Sequence, residues 1–185
     1  MPFKLNFGPS TEFSLPSHRT LQVQGRDASA FLQAQCMNDV NALQVGHWHY
    51  NGWLNPQGRV MALFYVLKID NEQFFLVIPG LDPQTVMNAL QRFIFRMKVT
   101  MTLETEWHVQ GSWQQPNESE TTALSGEMGA TMAWRPWFSE NRRELRLSRT
   151  PAPHNPELEA LWHSWDMAGG WPWLNADLCG QWTPQ

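Results

Sequence analysis

Two apolar runs separated by a four-residue break constrain this chain most. Residues 59–69 carry Val60, Leu63, Phe64, Val66, Leu67 and Ile69, and residues 74–78 read Phe-Phe-Leu-Val-Ile. Between them Asp70-Asn71-Glu72 has the composition of a turn, and Pro79-Gly80 closes the second run. β-Branched and aromatic runs bounded in this way are strands. So short a connection joins antiparallel neighbours, because a parallel pair needs a long crossover.

The flanking segments extend this sheet. Arg19 to Gln24 alternates, with Leu21 and Val23 on one face, and reads as a strand. Gly25 turns the chain. Asp27 is placed to accept from the first amides of a helix over 27–37, with Ala28, Phe31, Leu32 and Gln35 on one face. Gly46 opens an aromatic strand, His47 to Leu54, and Asn55-Pro56-Gln57-Gly58 is a turn in which Gly58 can take a positive φ. Asp82-Pro83 starts a second helix that carries Val86, Leu90, Phe93 and Ile94 through Arg96. Lys98 to Leu103 is a further strand. The order β-α-β-β-β-α-β predicts an α+β fold: antiparallel sheets with helices on one face, built from ferredoxin-like elements.

Past residue 105 the pattern thins. Trp107–Gln110, Ala130–Trp134 and Glu144–Leu147 are short strand candidates, and residues 111–127 read as loop and short helix. Thr150-Pro151-Ala152-Pro153 reads as a linker. Asn155-Pro156 starts a helix that Gly169-Gly170 stops, with Leu158, Leu161, Trp162 and Trp165 on one face. The predicted organisation is an extended arm over 1–18, an α+β domain over 19–104, and a smaller α+β domain over 105–185. Residues 171–185 show no periodicity and read as an unfinished end.

Composition narrows the function classes. Of 185 residues 42% are hydrophobic, enough for a core, and the net charge of −4 offers no footprint for a phosphate backbone. No direct nucleic-acid partner is expected. No apolar run approaches the roughly 20 residues of a membrane span, and the start lacks a continuous apolar leader. Two distant cysteines, Cys36 and Cys179, build no zinc or iron–sulfur ligand set, and such usage suits a reducing cytoplasm. There is no G-x-S-x-G and no Gly-rich phosphate loop. His47 and His49 alternate along a strand without a third ligand in view. No catalytic or metal residue is predicted.

Residues 23–40 spell V-x-G-R-D-A-x-x-F-L-Q-x-Q-x-x-N-D-V, and residues 54–59 read L-N-P-Q-G-R. Together they resemble the amino-terminal part of the YgfZ family, folate-binding relatives of the glycine-cleavage T-protein. Leu90 to Val99 is similar to that family's second helix and following strand. Trp162 with Gly170-Trp171-Pro172, then Gly180 to Gln185, resembles its W-x(n)-G-x-P and F-x-P-Q. The family's K-G-C-Y-x-G-Q-E signature is not in this sequence, so Cys36 and Cys179 inherit no role from it, and a chain ending before the carboxy-terminal part is expected.

The resemblance implies tetrahydrofolate or a folate derivative as cofactor. It implies an accessory role toward iron–sulfur client enzymes, including one that modifies tRNA, in preference to a folate-dependent aminomethyltransferase-like activity. It also implies contacts from a late-helix tryptophan, here Trp162, and from a second aromatic position that His18 occupies. A pterin needs a flat wall and edge hydrogen bonds, and its glutamate tail needs a cation. Trp162 is the candidate wall, Asp39, Asn55 and Gln57 are edge partners, and Arg59 and Arg96 are tail anchors. The competing roles are core packing for Trp162, helix termination for Asp39, and solvation for Arg59 and His18.

Overall fold

The computed structural model describes residues 11–114, 123–125, 129–134 and 142–184. In chain order its elements are β1 (Phe13–Ser14), β2 (His18–Gln24), α1 (Ala28–Gln35), β3 (Trp48–Leu54), β4 (Val60–Lys68), β5 (Gln73–Pro79), α2 (Pro83–Gln91) and β6 (Thr100–Glu104). There follow β7 (His108–Gln114), β8 (Ala123–Ser125), β9 (Gly129–Trp134), β10 (Arg142–Ser148) and α3 (Pro156–Ala168). A single 3-10 turn, Ala176–Leu178, comes last. The fold is α+β with two five-stranded sheets in which every paired strand is antiparallel.

The chain divides into two compact units. One holds Ser17–Thr105 with Leu174–Gln185, and the other holds Met1–Pro16 with Glu106–Trp173. The passage near residue 105 lies beside the predicted boundary. Both chain ends, however, belong to the unit that their sequence neighbours do not.

In the first unit the sheet order is β3-β4-β5-β2-β6. Strand periodicity places alternate side chains on one face. Leu21 and Val23 of β2 stand opposite Leu76 and Phe74 of β5, and Val66 of β4 opposite Leu76. Ala28, Phe31 and Leu32 of α1 and Val86 and Leu90 of α2 join these residues in one buried cluster, so both helices cover the same face. On the other face Val60 and Leu63 pack with Leu174, Leu178 and Cys179 of the tail. The tail is therefore docked. Gly180 N donates to Val60 O at 2.7 Å, and Val60 N donates to Trp182 O at 2.8 Å.

Two helix starts form as their caps dictate. Asp82 accepts from Gln84 N and Thr85 N at 3.2 and 3.3 Å, and Asn155 accepts from Glu157 N and Leu158 N at 3.0 and 3.2 Å. The third differs. Asp27 makes no side-chain cap to α1; its Oδ2 accepts from Lys98 N at 2.7 Å. A Cβ on Gly25, whose φ is +134°, would stand 2.1 Å from Lys98 O. The Gly-Arg-Asp run is thus a clasp on the strand entering β6, and its carboxylate satisfies an amide 71 residues away.

α2 also ends earlier than predicted, at Gln91. Phe93 lies beyond it, 38% exposed, and Phe95 takes a φ of +43°, where a helix cannot continue.

In the second unit the sheet order is β1-β7-β10-β9-β8. The described part of the predicted loose arm is docked, because Phe13 and Leu15 are buried and Leu15 N donates to Val109 O at 2.8 Å. The predicted linker is bound as well, with Ser14 N donating to Pro153 O at 2.9 Å. Where the predicted 111–127 loop and short helix is described it is strand instead, 111–114 in β7 and 123–125 in β8; the rest of it and residues 1–10 of the arm lie outside the described residues.

Candidate functional site

The polar residues singled out in the sequence fall mostly along β3 and its ends. Toward one end Asn38, His49 and Asn51 form a hydrogen-bonded network, with Asp39 beside it. Asn51 is fully buried. Its Oδ1 accepts from Asn38 N at 3.1 Å and from Gly52 N at 2.8 Å, which fixes the orientation of the amide. Its Nδ2 therefore faces His49 Nε2, at 3.1 Å. His49 Nε2 is then an acceptor, and the ring is neutral with its proton on Nδ1. Burial holds the ring below the ordinary imidazole range, while the nearby Asp39 carboxylate pulls it back upward. Asp39 is exposed. Its Oδ1 accepts from Asn41 N and Ala42 N at 2.9 and 3.2 Å, and its Oδ2 has no partner among the described residues.

At the other end lies the Asn55–Arg59 turn. Asn55 Oδ1 accepts from Gln57 N at 3.0 Å and Arg59 N at 2.9 Å, so this side chain holds the turn. Gly58 takes a φ of +75°. Gln57 and Arg59 are exposed. Arg59 Nη1 donates to Gln181 O at 3.2 Å, which ties the turn to the tail beside Trp182. That indole is 37% exposed. It was not singled out as a site residue, although it lies in the Gly180–Gln185 run that carried the resemblance.

The other sequence-predicted positions lie elsewhere. Arg96 is exposed, in the turn after α2. His18 is buried at the start of β2, with Nδ1 3.2 Å from Ser17 Oγ. Trp162 is fully buried in α3. The Arg143 guanidinium lies 3.7 Å from its ring centroid. A Cβ on Gly111 would stand 3.0 Å from the ring, leaving no room for even a methyl there. Trp113 and Phe13 pack edge-on at 5.6 and 6.0 Å. Arg143 Nη1 bonds Asp166 Oδ1 at 2.7 Å, and Asp166 Oδ2 accepts from Trp173 Nε1 at 3.2 Å. No ligand stacks on this ring without displacing Arg143. Periodicity had marked Trp162 and missed Arg143 and Asp166, because nothing in a sequence shows which charges will be buried as a pair.

Neither thiol is a ready ligand. Burial pushes Cys36 up to about 12 and also raises Cys179. Among the described residues no group of three or more His, Cys, Asp or Glu is arranged to hold a metal. Among them also, no helix is long and apolar enough to cross a membrane.

Comparison with known proteins agrees with this architecture. An uncharacterized protein of Haemophilus influenzae is 27% identical over 173 residues, which is 93% of this chain and 58% of that protein. An iron-sulfur cluster assembly factor IBA57 homolog, mitochondrial, of Mycosarcoma maydis is 30% identical over 121 residues, 58% of this chain and 30% of that protein. The chain thus spans little more than half of the first of these relatives and less than a third of the second. The crystal structure of glycine cleavage system aminomethyltransferase T from Bartonella henselae superposes with a TM-score of 0.55 at 15% identity, over 85% of this chain and 45% of that one. The family described as the GCVT N-terminal domain matches residues 13–147. These residues are well over half of the sequence, and the chain belongs to that family.

Proposed function

We propose that this chain binds tetrahydrofolate or a related folate and acts as a YgfZ-type accessory factor in the cytoplasm. Its clients are iron–sulfur enzymes, among them one that modifies tRNA. Family membership and the likeness to an iron-sulfur cluster assembly factor support the reading.

The donor set around β3 suits a folate. At the turn end of β3 the Gln57 amide is open to the polar edge of a pterin and Arg59 to a carboxylate tail, while Asp39, toward the other end of this seven-residue strand, is beyond the reach of the same pterin edge. Trp182, brought beside Arg59 by the tail, supplies the flat surface in place of the enclosed Trp162. Asn55 shapes the turn and His18 supports β2. When bound, the folate would supply the one-carbon chemistry, and the chain's own groups hold its edge and tail.

Titration with 5-formyltetrahydrofolate, followed by tryptophan fluorescence, tests the site. Arg59→Ala and Trp182→Ala are each expected to weaken binding about tenfold, the size of one charge-assisted hydrogen bond or one stacked ring. Unchanged affinity in both would remove this turn from the site. Methylene transfer from a glycine-derived amine to tetrahydrofolate by the purified chain would overturn the accessory half of the reading.

A further inference from the structure

The turn after α2 combines backbone strain with an exposed aromatic ring. Met97 N donates to Ile94 O at 2.8 Å, closing a four-residue turn with Phe95 in its second position. Phe95 has a φ of +43° and is the sole non-glycine residue with positive φ among those described. Turns place glycine or asparagine there, since a Cβ crowds the backbone. The Phe95 side chain is also 87% exposed, the most exposed large apolar residue among those described. Strain that the neighbouring residues hold in place on a side chain left open to solvent points to function.

The surroundings indicate what the ring meets. Phe93, two residues earlier, sets its ring against that of Trp53 at 6.2 Å, with 72° between the planes, and Trp53 packs on the buried cluster beneath the sheet. Ile94 and Met97 pack on the same cluster, so the turn is anchored on both sides of Phe95. Arg92, Arg96 and Lys98 are all exposed. Among the described residues neither guanidinium has an ion-pair partner. Arg26 and Lys98 line one open recess of about 460 Å³. The Asp27 carboxylate beside it is taken up by the Lys98 amide and lies 3.7 Å from Arg26.

Three cations thus stand within seven residues of a chain whose net charge is −4. That is too few to track a nucleic-acid backbone, and a single ring is a weak membrane anchor. An exposed aromatic side chain on an anchored turn, with two arginines and a lysine close to it in sequence, has the composition of a protein-binding hot spot. We propose that residues 92–98 dock an acidic polypeptide segment, with Phe95 entering an apolar pocket or packing on an apolar side chain of the partner. Arg92, Arg96 and Lys98 meet its carboxylates. This proposal is independent of the folate reading.

The test is a selection from a random dodecapeptide library on the immobilised full chain, with the selected peptides synthesised and titrated by fluorescence anisotropy. Peptides rich in Asp and Glu around an apolar residue are expected. Their affinity should fall about tenfold or more with Phe95→Gly, fall with Arg92→Glu, and weaken as salt is raised. Phe95→Gly should also raise the melting temperature by about 2–4 °C, because glycine relieves the strain. A lower melting temperature would overturn the premise. Peptides indifferent to Phe95, or lacking acidic residues, would overturn the proposal. So would Phe95-dependent binding to phosphatidylglycerol vesicles or oligothymidylate in their place.

Discussion

Asn51 shows how much one buried amide can organise. It satisfies two backbone amides and sets the tautomer of His49. Asn51→Ala orphans both amides and is expected to cost about 2–4 kcal/mol in urea denaturation. Asn51→Asp keeps the acceptor and turns a carboxylate oxygen toward His49 Nε2. The imidazole titration, followed by NMR, should then move upward, because an opposite charge favours the protonated ring. The sequence marked His49 only as half of a weak metal pair and Asn51 only as part of an aromatic strand. Hydrogen bonds to backbone groups 13 residues away leave no trace in local composition.

At the scale of elements, the caps divide into two kinds. Asp82 and Asn155 each precede proline and accept from the first turn, as their local chemistry requires. Asp82→Ala and Asn155→Ala should each cost about 1 kcal/mol, read from the denaturant midpoint. Asp27 looks the same in sequence but reaches across to Lys98. Asp27→Asn is therefore expected to speed amide hydrogen exchange at Lys98 while leaving the amides of α1 unchanged. Strand positions were the most legible elements, since β4 and β5 are apolar over nearly their whole length and bounded by turns. The early end of α2 was not legible, because Phe93 and Ile94 keep helical spacing in a segment that has already left the helix.

At the scale of the whole molecule, two histidines couple stability to pH. Burial lowers both His49 and His163. For His163 the carboxylates of Glu159 and Asp166 pull upward, and Arg143 adds to the lowering. Because burial lowers both rings, the unfolded chain binds more protons than the folded one as the pH falls below the ordinary value of 6.5. Stability should be highest above that value and fall as the pH drops through it toward the folded-state values. Denaturation at a series of pH values checks the sign. The tail adds a second expectation. A chain ending at Trp173 loses Leu174, Leu178 and Cys179 from the cluster on Val60 and Leu63, and hydrogen exchange should rise at Val60 before the middle of β4.

Local chemistry alone determined strands β2 to β6, the two helix starts whose caps precede proline, the Asn55–Gly58 turn and the antiparallel α+β class. Each rests on propensities and periodicities that act within a few residues. Only the tertiary structure decided that Trp162 is sealed beneath Arg143, that Asp27 clasps Lys98, and that the tail brings Trp182 to Arg59. Those outcomes depend on which distant groups meet once the sheets form, and on the cost of leaving a buried charge or amide without a partner.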